Sequence, residues 1–494
     1  VQDVDTLKIE NEDLRDQLVA YKNEVRVLSE NNKLLKKALY GQSSERVEDL
    51  PDQYRLFNET EELLQAPEKL INIAGYTKKK GKQSRKPFPE DLERVVEIND
   101  LDEDQKFCSV HGEPLKEIKT DVKEFLVTRP PEVKIRAVHT KRYTCACCDQ
   151  PPVEPKSKSI IPGSIATEET LAFIIFSKYF QHLPLYRLED LYKLYDIHLS
   201  RGVMASWMVN ISCRLTPLYN VLEERMLNTG YIGIDETRVQ VLVEKGRAAT
   251  TKSSMWVRSS EELGIALFDY DLSKGAPAVN RLLRGYTGVI QADEHNCCNQ
   301  IEKEVSLRLG CMMHARRRFK KALDVSGGTS KLALEGLSFF KRLYDFEENY
   351  KKLKLTPAER FKARELDHRP LLDDYNAWLL KNKEKVPPKS KIGNAINYSL
   401  TYWEHLTNYL KDGRFEVDNG FVERQIKQFA LGRKNWLFSA SAQGAEASSI
   451  LYSLLVTIKL NKKDPYETLL TVLKKLPDVN TPEDWDALAD LLLK

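Results

Sequence analysis

Tyr231-Ile232-Gly233-Ile234-Asp235 reads as a buried strand that ends on a carboxylate. Ile232 and Ile234 share one face and Gly233 and Asp235 the other, because successive side chains of a strand point to opposite sides. Val289-Ile290-Gln291-Ala292-Asp293 repeats the arrangement: Ile290 and Ala292 can be buried, and Asp293 emerges at the carboxyl end, where open α/β sheets carry their sites. Two neighbouring strands ending in this way bring two carboxylates together. A third acid, Glu423, lies in Asp418-Asn419-Gly420-Phe421-Val422-Glu423-Arg424, where Asp418 or Asn419 can cap a helix whose first turns present Glu423.

Carboxylates gathered in this way need a hard cation, and magnesium prefers carboxylates together with water and substrate phosphate. Two such ions, roughly 3.5 to 4 Å apart, can activate a water or a DNA 3′ hydroxyl and stabilise the leaving oxygen of an in-line displacement. The chain has 73 acidic residues, so position alone does not single out three of them; the surrounding motifs do. Ile161-Pro162-Gly163-Ser164, His182-Leu183-Pro184-Leu185-Tyr186-Arg187, Asp235-Glu236-Thr237, Gln291-Ala292-Asp293, Gly310-Cys311-Met312-Met313-His314-Ala315-Arg316-Arg317 and Ala430-Leu431-Gly432-Arg433-Lys434-Asn435-Trp436-Leu437-Phe438 resemble the DDE transposases of insertion sequence sixty-six.

The resemblance spans nearly the whole chain. It implies a ribonuclease H-like α/β catalytic domain interrupted by a helical insertion, with the catalytic, magnesium- or manganese-binding acids at Asp235, Asp293 and Glu423. It further implies a zipper-led chain and small accessory proteins encoded by the same element. Gly420 departs from the family, which commonly has asparagine there. The residues agree with the implied architecture: Arg238 to Glu244, Ser254 to Arg258 and Gly264 to Tyr270 are strand-like, whereas Leu332 to Lys385 is charged and helix-prone. The expected organisation is multidomain α+β. A coiled-coil helix occupies 1–50, a basic linker 51–90, a zinc-binding DNA-contact module 91–160 and a helical region 161–229. The catalytic domain follows at 230–325 and 410–460, with the helical insertion at 326–409 and a C-terminal helical tail at 461–494.

Composition permits this and excludes other classes. A chain of 494 residues with 41% hydrophobic content can bury several cores and is not disordered. No apolar run approaches the roughly 18 residues of a membrane span, and the start lacks a secretory pattern, so a cytoplasmic protein is expected. Val1 implies a trimmed start. Eight cysteines are too few for a disulfide scaffold. Gly75, Gly81 and Lys82 suggest a phosphate loop, but the glycine spacing is wrong and Gln83 stands where Ser or Thr is required, which excludes an ATP site of that type.

The net charge of +3 does not announce a nucleic-acid binder, so the argument rests on where the positive charge is concentrated. Lys78, Lys79, Lys80, Lys82, Arg85 and Lys86 form a basic arm, which reads equally as a phosphate contact or a solvated hinge. At the amino terminus, Leu7, Leu14, Tyr21, Leu28 and Leu35 recur every seven residues, with Val4, Asn11, Leu18, Val25, Asn32 and Leu39 in the companion position. This predicts a parallel coiled-coil dimer whose register Asn11 and Asn32 would fix.

Cys108, His111, Cys145 and Cys148 supply two ligand pairs fit for a closed structural zinc site, with Cys147 able to replace Cys148; reduced core cysteines are the alternative. His111 stands where the family usually carries cysteine. Such a module would bring Arg136 and Arg142, with Lys134 and Lys141, towards DNA. Leu185 to Tyr195 and a helix capped by Ser200 outline a helix-turn-helix, with a scaffold role favoured over groove contact.

Arg316 and Arg317, continued by Arg318, Lys320 and Lys321, and then Lys427, Arg433 and Lys434 near Glu423, are candidate DNA-phosphate contacts or solvated faces. Trp436 reads as a core residue more readily than as a base-stacking platform. Cys311 and His314 resemble a ligand pair lacking further partners, which points to packing and orientation beside the carboxylates. The resemblance, with these features beside it, implies a DDE transposase that cleaves and joins DNA. The alternatives are a domesticated non-cleaving DNA-binding protein and a ribonuclease H-like nuclease without joining activity.

Overall fold

The computed structural model describes residues 17, 18, 20–25, 27–29, 88, 94–129, 132–144, 147, 151–155, 159–293 and 304–493. The basic arm Lys78–Lys86, Cys145, Cys148 and most of the predicted zipper lie outside them. In chain order the elements are β1 (Arg94–Asn99), β2 (Lys116–Arg129), β3 (Glu132–Thr144), α1 (Glu168–Tyr179), α2 (Leu185–Lys193), α3 (Arg201–Leu227), β4 (Tyr231–Val243), β5 (Lys252–Ser260), β6 (Ile265–Asp271), α4 (Ala276–Leu282), β7 (Val289–Gln291) and β8 (Leu307–Leu309). There follow α5 (Met312–Val325), α6 (Lys331–Lys352), α7 (Pro357–Lys383), α8 (Lys391–Thr401), α9 (Trp403–Thr407), α10 (Gly420–Trp436), β9 (Ser439–Ser441), α11 (Ala442–Leu460), α12 (Pro465–Lys475) and α13 (Pro482–Leu492). This is a multidomain α+β protein with mixed sheets, and no described helix is long and apolar enough to cross a membrane.

The described chain divides into two compact units. In the first, built mainly from Gly230–Ile234 and Gly275–Glu423, the start of β4 pairs in parallel with β7, and β7 with β8. Around this edge lie the helices of the expected insertion, α6 to α9, and α5. Leu309, Met312, Phe319, Phe340, Tyr375, Leu379 and Ile396 form its core. Gly336 permits the close packing of α6 on α5, since a Cβ there would sit 2.5 Å from the Phe319 ring.

In the second unit, β1, β3 and β2 make a three-stranded sheet, parallel between β1 and β3 and antiparallel between β3 and β2. The unit also holds the remainder of β4 and the antiparallel pair β5 and β6. The far edge of β6 would leave backbone donors unpaired, which in a sheet invites adventitious pairing. Helix α11 seals it: Phe268 N–H donates to Ser453 Oγ at 2.8 Å and Ala266 N–H to Thr457 Oγ1 at 3.2 Å.

One sequence expectation is corrected here. Asp235 does not end a strand, because β4 runs unbroken from Tyr231 to Val243 and absorbs the strand read separately at Arg238 to Glu244. The apolar alternation changes phase across Asp235 and Glu236, from even positions (Ile232, Ile234) to odd ones (Val239, Val241), and that makes one strand read as two. The helical hairpin at 185–227 is present, and Ser200 Oγ accepts from Val203 N–H at 3.3 Å as its cap. Its second helix buries Met204, Trp207, Ile211, Leu215 and Leu222.

A buried ionic network ties α6 and α7 to the segment leading into α10. Arg360 donates to Glu416 Oε1 at 2.7 Å and to Glu347, which also accepts from Arg364 at 2.8 Å. Burial alone would raise the Glu416 carboxyl, but Arg360 and Lys351 pull it down to about 2. A folded-state value below the ordinary one means that this stability is fully present above pH 4.5 and is lost as pH falls towards 2. Glu416→Gln is therefore expected to destabilise the protein by about 3 kcal/mol at pH 7, with parent and variant converging between pH 4.5 and pH 2. Urea midpoints across that range test this, and a gap independent of pH contradicts it.

Candidate active site

The site is built on the start of β4. Gly233 pairs with Gln291 in the parallel register of β4 and β7, and Asp235 and Asp293 follow these two partners by the same two-residue step. Gly233 also admits the N-terminus of α10: a Cβ there would lie 2.3 Å from Val422 Cγ2 and 2.8 Å from Asn419 Oδ1. Asn419 uses this space to donate from Nδ2 to the Ile234 carbonyl at 2.9 Å, while its own carbonyl accepts the Glu423 N–H at 3.1 Å. The cap of α10 is thus divided. Asn419 supplies the backbone acceptor, and the Asp418 carboxylate accepts from Gly420 N–H at 2.8 Å and from the Tyr344 hydroxyl at 2.7 Å.

Gln291 locks the same region from below. Its Nε2 donates to the carbonyls of Gly310 at 3.0 Å and Glu416 at 2.9 Å, and its Oε1 accepts from the Tyr231 hydroxyl. The Gly310 link leads to α5, whose N-cap position is Cys311 and whose first turn carries His314. Cys311 is fully buried and its Sγ accepts the Asn419 N–H at 3.3 Å.

His314 stands between two of the predicted acids. Its Nε2 is 3.2 Å from Asp293 Oδ2 and its Nδ1 is 3.7 Å from Glu423 Oε1. Burial pushes the imidazole down to about 4 despite the pull of Asp293, so it is neutral at pH 7. Asp293 Oδ1 also accepts from the Tyr398 hydroxyl at 3.2 Å, and Tyr398 carries the Arg318 guanidinium 3.9 Å from its ring centroid. The Glu423 side chain is 3% exposed, with Arg317 at 3.7 Å. Burial, helped by the negative charge of Glu423 and Asp418, raises the Cys311 thiol well above its ordinary range. Asp235 is half-buried within β4, and its Oδ1 accepts from Glu236 N–H at 2.8 Å.

Residues 163–447 match the family described as Transposase IS66 family. The chain belongs to the IS66 family of transposases. Residues 27–96 match a second description, Transposase C of IS166 homeodomain, over a segment lying mostly outside the described residues. Among similar proteins of Sinorhizobium fredii (strain NBRC 101917 / NGR234), the uncharacterized protein y4jD is 30% identical over 409 residues, covering 80% of this chain and 79% of the relative. The uncharacterized protein y4hP is 27% identical over 477 residues, covering 90% and 84%. A transposase role, with DNA as the partner, goes with membership of this IS66 family.

The other expected site residues fare unevenly. Arg433 is buried in this transposase and donates to Thr237 Oγ1 at 2.9 Å and to the Arg238 carbonyl, so it clamps α10 to β4 instead of facing phosphate. Arg136 faces Glu169 at 3.0 Å, and Arg142 lies 2.6 Å from Asp121 and 2.5 Å from Glu154, which leaves both engaged with carboxylates. Lys434 is exposed, and Arg316 and Lys427 are half-buried. Trp436 packs edge-on against Phe429, with Lys178 over its face. Cys108 is buried with its Sγ 3.5 Å from His111 Nδ1. Tyr398 escaped the sequence reading, because nothing in the helix-prone insertion marks one tyrosine as facing Asp293.

Gly233→Ala places a methyl group inside the contact with Val422. It is expected to lower stability by about 1–3 kcal/mol, and Val422→Ala in the same chain to recover part of the loss. Thermal or urea denaturation of the two single variants and the double variant reads the coupling. Additive losses would show that the two side chains do not compete for the same space.

Proposed function

We propose that this transposase cleaves and joins DNA strands through a pair of divalent cations held by Asp235, Asp293 and Glu423, on a ribonuclease H-like catalytic domain. The observation that carries the proposal is the gathering of Asp293 and Glu423, far apart in sequence, beside the two nitrogens of one imidazole. The donor set fits magnesium or manganese, which prefer carboxylate oxygens. When bound, such ions lower the pKa of the attacking water or 3′ hydroxyl and stabilise the leaving oxygen.

The chain's own groups then have defined tasks. Tyr398 and His314 donate to the Asp293 carboxylate and fix its orientation. Asn419 holds the first turn of α10, and hence Glu423, against the backbone that leads directly into Asp235. Arg316, on the same helix as His314, is proposed to contact a phosphate of the substrate strand.

Cys108 and His111, with Cys145 and Cys148, are proposed to hold structural zinc. The described seam positions Leu18, Tyr21, Val25 and Leu28 are each more than half exposed, which supports their pairing with a second copy.

Labelled terminal DNA incubated with magnesium tests the catalytic reading. Asp293→Asn is expected to lower both cleavage and joining by at least about a thousandfold while leaving DNA binding in place. Cleavage without joined products in the parent would indicate a nuclease, and binding without cleavage a DNA-binding protein. Full activity of Asp293→Asn would remove Asp293 from the mechanism.

A further inference from the structure

We propose that Cys311, His314 and Glu423 form a second kind of metal site, one for a single thiophilic divalent ion such as zinc, whose occupation removes Glu423 from the magnesium-dependent reaction. The sequence pair Cys311 and His314 looked short of partners; the fold supplies the third. One ligand atom from each of the three residues lies within 4.8 Å of the other two. Cysteine and histidine three residues apart at a helix start, joined by a carboxylate, give three ligands of types zinc accepts, with a fourth tetrahedral position for water or a substrate oxygen.

The orientation of His314 is the stronger argument. Nε2 is within hydrogen-bonding reach of Asp293 at 3.2 Å, so in the neutral ring the proton belongs there and Nδ1 carries the lone pair. Nδ1 is buried, makes no hydrogen bond, and faces Glu423 Oε1 at 3.7 Å. A lone pair facing a carboxylate across that gap is unfavourable by itself and becomes favourable when a cation lies between them. The carboxylate of Asp293 behind the imidazole completes the outer arrangement that orients zinc-bound histidines and strengthens them as ligands.

Burial favours the protonated Cys311 thiol in the metal-free site; ion binding would release that proton to solvent, and the Asn419 N–H directed at the sulfur at 3.3 Å would then support the thiolate. Magnesium has little affinity for sulfur, so the two ion classes would select different ligand sets that share Glu423. The inhibitory consequence rests on the proposed catalytic role of Glu423; binding of the ion does not.

Cobalt titration of metal-free full-length protein tests binding without reference to activity. The parent is expected to take up one more equivalent than Cys311→Ser, and that equivalent to add a sulfur-to-cobalt charge-transfer absorption that the variant lacks. Cys108→Ser should retain it, which separates this site from the amino-terminal cysteines. Equal stoichiometry and equal spectra in parent and Cys311→Ser overturn the proposal. If Cys311→Ser does not fold, Glu423→Gln decides: at least about tenfold weaker affinity for this equivalent supports the site, and unchanged affinity overturns it.

In magnesium-driven strand cleavage, the zinc concentration for half-inhibition is expected to rise at least about tenfold in Cys311→Ser, each protein being compared with its own zinc-free rate. An intact cobalt signature in a parent that cleaves no DNA would remove the catalytic reading and leave the metal site standing.

Discussion

The approach of the first turn of α10 to Gly233 is the contact on which the site depends. With no side chain at 233, Asn419 reaches the Ile234 carbonyl and Val422 packs against the strand, so Glu423 is delivered beside β4. Any larger residue would push the helix start away and carry Glu423 with it. Around this contact side chains bond to the backbone of neighbouring segments: Gln291 joins β7 to Gly310 and to Glu416, and the Cys311 sulfur accepts the Asn419 N–H. Three segments distant in sequence are thereby registered by hydrogen bonds between side chains and backbone, which hold position more sharply than apolar contact does.

His314 gives this frame its electrostatic character. A charged imidazole would form ion pairs with Asp293 and Glu423 and compete with any metal for them. Burial disfavours the charged ring, so that it orients one carboxylate and leaves its second nitrogen facing the other. The helical insertion also contributes to the site. Tyr398 on α8 reaches Asp293, while Arg360 on α7 holds Glu416, two residues before Asp418. These helices thus buttress Asp293 and the segment leading into α10.

The legible parts of the fold were those written in short-range pattern. Alternating residues gave β7 and the start of β4, the charged stretch from Leu332 to Lys385 gave helices, and motif words gave the family. Sequence reading failed where a local pattern was interrupted or a partner was remote. The phase change across Asp235 split β4 into two apparent strands, although the strand runs unbroken through it. Arg433 looked like one more surface cation because burial against Thr237 and Arg238 depends on a strand nearly two hundred residues earlier. Likewise, Glu423 as the companion of Cys311 and His314 emerges only once α10 is docked beside α5.

The most direct measurement of the central claim is anomalous diffraction from crystals of the full chain with element-end DNA and manganese. The account predicts two manganese peaks roughly 3.5 to 4 Å apart, ligated by Asp235, Asp293 and Glu423 and facing the scissile phosphate. Manganese bound elsewhere, with Asp293 and Glu423 carrying no ion while DNA occupies the protein, would contradict it.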